Sequence, residues 1–143
     1  MSVSRLRIEY YKNMLLSMNV ARLHGDNNIA KPVLMLSIMQ CIEEGTIIGN
    51  RIMLTKPLLD TYKNYFQLFQ PHKLTSIVYP YYYLNHDAFY FIKGDTSRKT
   101  PSSKFLHEHV EYAALDDDLW DLLQDKEIRD EYQQAIIQHF IKH

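Results

Sequence analysis

The chain has 143 residues, 46% hydrophobic and 23% charged, with a formal net charge of −1; this suits one globular domain with a real core and excludes a low-complexity or strongly polyionic protein. No apolar run approaches bilayer length, and the single cysteine, Cys41, excludes an intramolecular disulfide, so a reduced, cytoplasmic setting without a membrane partner is expected. The near neutrality hides an asymmetry: residues 1–104 carry 13 Lys and Arg against 7 Asp and Glu, net +6, whereas residues 105–143 carry 3 against 10, net −7. That balance argues against strong non-specific binding to nucleic acid but leaves room for a local basic face.

The first element is a helix from about residue 5, capped by Ser4, that buries Leu6, Tyr10, Met14 and Leu15 and ends before Gly25. It has no apolar stretch or cleavage site of a signal peptide. The second is a helix opened by Pro32, with Val33, Leu34, Leu36, Ile38, Met39, Cys41 and Ile42 as a broad apolar surface and Gly45 just past its end. A short strand over 50–54 precedes a third helix, started by Thr55 and Pro57, whose Leu58, Leu59, Tyr62, Tyr65, Phe66 and Phe69 recur at helical spacing until Pro71.

Residues 79–84 and 88–92 read as the two strands of a hairpin turning at 85–87, followed by a polar loop over 94–103. In that reading Tyr79, Tyr81 and Tyr83 share one strand face and Tyr82 takes the other with Phe89 and Phe91 in the core, while Pro80 places the segment at a strand start or edge. The acidic end reads as three helices over 104–112, 117–123 and 126–141, the middle one capped by Asp116. The expected fold is therefore a single mainly α domain over residues 1–143 with a small β-hairpin or sheet, an α+β arrangement.

The catalytic inventory is poor. His107 and His109 are two apart and so diverge on a helix, and neither a histidine-rich nor a cysteine-rich zinc pattern exists. Asp116, Asp117 and Asp118 are explained by capping rather than by a cation. Four scattered glycines cannot build a phosphate loop, and Cys41 sits in an apolar pattern as inert core. His86 and Asp87, adjacent on a turn, lack the third group a hydrolase needs. No metal, cofactor or enzymatic activity is expected, and a binding module is.

The order of motifs LSMNVARLHG at 16–25, KPVLML at 31–36, YPY at 79–81 with Leu84, DAFY at 87–90, YAALDDDLWDLLQD at 112–125, and Arg129 resembles the DNA sulfur-binding domain at the front of modification-dependent HNH restriction endonucleases. The resemblance covers nearly the whole chain. It implies recognition of double-stranded DNA whose backbone carries a phosphorothioate, within a restriction system, and leaves room for a homodimer; a nuclease domain is not expected within these residues, which belong either to a larger restriction enzyme or to a free-standing reader. The family's Tyr-Pro pocket wall maps onto Tyr79 and Pro80, with Tyr83 a further wall residue. Its basic residue before the second helix maps onto Lys31, with Ala30 standing where family members commonly carry His. The positions able to reach DNA are then Arg22, Lys73, His86, Arg98, Lys99 and Lys104.

The chemistry is coherent. A phosphorothioate keeps its charge, but its sulfur is larger, softer and less hydrated than oxygen, so an apolar wall beside a cation favours it. The helix start at Pro32 is expected to add free amides and dipole. The competing reading is a protein-interaction or oligomerisation domain whose acidic C-terminal helices meet a basic partner.

Overall fold

The computed structural model describes residues 4–20, 22, 23 and 26–141, of which 22, 23, 26 and 27 are described by their backbone alone. It is mainly helical, with helices α1 (Arg5–Leu16), α2 (Ala30–Glu44), α3 (Lys56–Phe69), α4 (Val78–Tyr83), α5 (Ser103–His109), α6 (Asp117–Leu122) and α7 (Lys126–Ile136). Two antiparallel pairs complete it: β1 (Arg22–Leu23) with β2 (Asp26–Asn27), and β3 (Tyr90–Gly94) with β4 (Val110–Leu115). The mainly α, α+β class expected from the sequence is the class observed. Among the described residues no helix is long and apolar enough to cross a membrane.

Helix α2 is the centre of the core. Val33, Leu34, Met35, Leu36, Ile38, Met39 and Cys41 are all fully buried, because α3, α4 and α7 pack around it, and a helix apolar on every side can only be stable when enclosed. It stops at Gly45, whose φ of 77° is the left-handed geometry that a side chain disfavours. Helix α3 starts as its sequence requires: Thr55 accepts from the Leu58 N–H, and Leu58, Tyr62 and Phe66 face inward.

Helix α1 forms where expected but buries another face. Ile8, Tyr11 and Leu15 are inside, whereas Leu6 and Tyr10 are exposed. Two apolar stripes compete on this short helix, and the Tyr132 hydroxyl, donating to the Ile8 carbonyl at 2.8 Å, fixes which one meets α7. Ser4 contributes its carbonyl to Arg7 and Ile8 but no side-chain cap. Gly25, where the first helix was to give way to a turn, lies outside the described residues.

The largest departure concerns residues 78–94. The aromatic run expected as a strand is helix α4, continued by a turn of 3-10 helix over Leu84–His86. A short run with aromatics at nearly every position satisfies both periods, and Pro80 falls in the first helical turn, where its missing N–H costs nothing. Strand β3 consequently pairs with β4, well ahead in sequence, and not with 79–84. The helix expected over 104–112 ends at His109, because Val110 onward is drawn into that pairing with Ala113 and Leu115 inward. On β3 Tyr90 points in and Phe91, expected in the core, points out at 51% exposure. The ladder shifts register at Gly94, where a Cβ would lie 2.4 Å from the His109 carbonyl oxygen. The candidate strand over 50–54 is reduced to one bridge, Ile52 with Ala113, while the Asn50 amide clamps both backbone groups of Leu115 at 2.7 and 2.8 Å.

At the acidic end, Asp116 accepts from the Asp118 N–H and Asp125 from those of Glu127 and Ile128, so both carboxylates act as caps. Helix α7 loosens into a π-helical turn over Ile137–Ile141.

Candidate functional site

Helical geometry redistributes the tyrosines. Tyr79 and Tyr83, one turn apart on α4, stack with centroids 6.4 Å apart and planes 13° from parallel. Tyr81 and Tyr82 are buried on the other side, and their hydroxyls donate to the carbonyls of Ile52 and Arg98, each at 2.6 Å. Pro80 is buried and lines the same cavity as Tyr79 and Tyr83. Between this face and the start of α2 lies an open cavity of about 280 Å³, lined by Tyr79, Pro80, Tyr83, His86, Ala30 and Lys31 together with Asn19, Val20, Asn28 and Thr75. Residues 30–31 and 79–83, assigned to one site from sequence, are thus brought together across nearly fifty positions of chain.

Lys31 is not a free cation. Its ammonium donates to Asp87 Oδ2 at 2.7 Å, with side-chain exposures of 14% and 5%, and the Asn19 N–H donates to the other carboxylate oxygen at 3.1 Å. A partly buried ammonium needs a partner of this kind. The pairing pins Lys31 at the rim and compensates its charge when the cavity is empty. The helix start contributes less than expected: the Ala30 N–H donates to Asn28 Oδ1 at 2.8 Å, Val33 to the Ile29 carbonyl at 2.8 Å, and Pro32 has none. Among the described residues, only the Lys31 amide of the first turn is left for an anion.

The other expected DNA contacts are dispersed. The His86 ring lies 6.1 Å from Tyr83 at the cavity edge. Arg98 and Lys104 border a separate shallow depression with Phe105 and His109, and the Arg98 guanidinium sits 5.1 Å above the Phe105 ring. Lys99 is exposed, and its carbonyl accepts from the Tyr83 hydroxyl at 2.8 Å. Lys104 approaches Glu108 at 4.0 Å, and Lys73 is exposed outside the cavity lining. The Arg22 side chain lies outside the described residues.

Three polar residues of the lining, and the apolar Val20, escaped the sequence reading. Asn28 stands two residues before a helix start, a position from which an Asn carbonyl reaches the first amides, and that spacing was a usable signal. Asn19 and Thr75 carry no such mark. Asp87 stood beside His86 as a weak catalytic pair, but among the described residues no hydrogen bond joins them; its carboxylate faces Lys31.

A larger groove of about 700 Å³ runs along the other side of residues 74–81, between α3, α5 and β4. Its floor is apolar, with Leu54, Leu59, Tyr62, Ile77, Tyr81 and Leu106, and none of the expected DNA-site residues whose side chains are described lines it. Size alone favours this groove, but the converging cation and stacked rings favour the smaller cavity. No family model and no curated protein matches the chain.

Proposed function

We propose that this chain is a reader of backbone-modified DNA, binding duplexes that carry a phosphorothioate through the cavity of Tyr79, Pro80, Tyr83 and Lys31, within a restriction system that separates modified from unmodified DNA. The observation that carries the reading is the convergence itself: two stacked rings and a proline form one wall, and a half-buried ammonium stands at its edge. Sulfur would lie against the rings, where its weak hydration is no penalty, and the anionic oxygen would face Lys31. Ordinary phosphate would have to give up two strongly hydrated oxygens for the same place.

Asp87 supports the selectivity. Because it already compensates Lys31, the site offers little bare positive charge, so an anion gains its affinity from the apolar wall more than from Coulomb attraction. The test is an anisotropy titration with matched duplexes differing in a single phosphorothioate. Much tighter binding to the modified duplex is expected, and equal binding overturns the reading.

A further inference from the structure

The helix that walls the cavity also holds the neighbouring basic loop. Residues 95–102 connect β3 to α5 and carry Arg98 and Lys99. The Tyr82 hydroxyl donates to the Arg98 carbonyl at 2.6 Å and the Tyr83 hydroxyl to the Lys99 carbonyl at 2.8 Å. Two consecutive carbonyls are therefore tied to two consecutive side chains of α4. The Tyr82 ring is itself wedged edge-on against Phe105, 6.1 Å between centroids, and the same Phe105 ring supports the Arg98 guanidinium from below at 5.1 Å. Asp95 closes the near end of the loop through its bonds to Ser97, and Ser102 closes the far end by accepting from the Phe105 N–H.

We infer that Tyr82 and Tyr83 are positioning residues that lock the Arg98–Lys99 loop to the sulfur cavity, so that the same helix that recognises the modified phosphate also sets where the loop's cations meet the neighbouring bases. This rests on the DNA-reading proposal above and adds to it a source of sequence preference. Phosphate capture alone carries no sequence information, whereas an arginine held at a fixed distance from the captured phosphate can read one base pair next to it. Residues 95–100 are all exposed, and without the tethers they would spread Arg98 over many positions and lose that register.

The test uses Tyr82→Phe, which keeps the buried ring and removes only the hydroxyl that holds Arg98; Tyr82 does not line the cavity. Wild type and variant are titrated with a panel of phosphorothioate duplexes that differ in the bases flanking the modification, and with one unmodified duplex. The preference for sulfur should be retained, while discrimination among flanking sequences falls roughly two- to tenfold, the size of one net hydrogen bond. In a double-mutant cycle with Arg98→Ala the two losses should not add, because both act through Arg98. A flanking-sequence spread unchanged by Tyr82→Phe, or fully additive losses, overturns the inference. So does a wild-type protein that prefers sulfur but ignores flanking bases.

Amide hydrogen exchange on the free proteins separates the two ideas. Faster exchange over 96–100 in Tyr82→Phe establishes the tether whatever the ligand, and unchanged exchange there disproves it. Tyr83→Phe, whose hydroxyl is on the surface, repeats this measurement at Lys99 should the first variant fold poorly. A tether confirmed by exchange in a protein indifferent to sulfur would sink the DNA-reading proposal, and the sequence-reading role with it.

Discussion

Two sides of this molecule treat charge in opposite ways. On the side built from α1, α6 and α7, cations meet carboxylates from the far end of the chain: Arg5 and Lys12 pair with Glu131 at 2.6 and 2.5 Å, Arg7 with Asp118 at 2.5 Å, and Lys126 and Arg129 with Glu43. Around α4 the reverse holds. Lys31 has a buried partner, but Arg98 and Lys99 have no ion pair among the described residues, and Lys104 has only a distant one along its own helix. Part of the contrast of +6 and −7 between the two stretches of sequence is thus paired off on the first side, where Arg5, Arg7 and Lys12 of the basic stretch meet Asp118 and Glu131 of the acidic one. It also bears on the competing interaction-domain reading, since Asp118, Asp130 and Glu131 of the acidic helices already have basic partners within the chain.

The strongest way to break the closed side is at Arg129. Its guanidinium is buried, donates to the Leu123 carbonyl at 2.8 Å and pairs with Glu43, thereby joining the start of α7 to the end of α2. Arg129→Ala removes a buried charge-assisted bond, orphans that carbonyl and leaves a void, and should cost about 3 kcal/mol. Urea denaturation should show the lower midpoint, while DNA binding by the remaining folded fraction should be unaltered. A loss of binding at unchanged stability would mean that the two sides are not separate.

On the open side the largest effect belongs to Pro80. Pro80→Ala removes the proline ring from the wall it shares with Tyr79 and Tyr83 and should reduce the preference for modified over unmodified duplex by about tenfold, with Tyr79→Ala acting in the same direction. Lys31→Ala should instead weaken both duplexes and flatten the salt dependence, because it removes a cation and leaves Asp87 uncompensated at the rim. The checks are paired titrations at several salt concentrations. If Pro80→Ala and Lys31→Ala gave the same pattern, the division into apolar wall and cation would be wrong.

The grouping of these residues was easier to read from the sequence than the fold that brings them together. Helix α3 was legible from its Thr55 cap and sustained period and α2 from its long apolar run ending at Gly45, whereas Lys31 was singled out through the family resemblance. Helix α4 was not. Six residues rich in tyrosine show no decisive period, and what settles them is tertiary: Tyr81 reaching Ile52 and Tyr82 reaching Arg98. The partner of β3 was hidden for a similar reason, since its strand lies beyond an intervening loop and helix, and only pairing distinguishes 110–115 from the end of α5. Tyr79 and Tyr83 still line one wall, because positions i and i+4 share a face in a helix as they do in a strand.

Asp87 offers a smaller test that sharpens the contrast. Asp87→Asn keeps the shape and the acceptor for the Asn19 N–H but frees the charge of Lys31. Both duplexes should bind roughly threefold to tenfold more tightly at low salt. Unmodified DNA should gain at least as much as modified DNA, and the salt slope should steepen. An affinity that falls instead would show that Asp87 serves to aim Lys31 rather than to restrain it.

The smallest effect returns to the closed side. Arg5 and Lys12 hold the Glu131 carboxylate at about 2, against the ordinary 4.5. A depressed carboxylate contributes stability above its unfolded value and loses it as the pH falls through the folded one, so this contribution should be complete above about pH 5 and fade towards pH 2. Glu131 is still 30% exposed and shares its cations with Glu9, so solvent screening limits the contribution to about 1 kcal/mol. Glu131→Gln should therefore lower the melting temperature slightly at pH 7 and not at all near pH 2, with the difference shrinking in high salt. A difference that persisted at pH 2 would place the effect in packing between α1 and α7 instead of in charge.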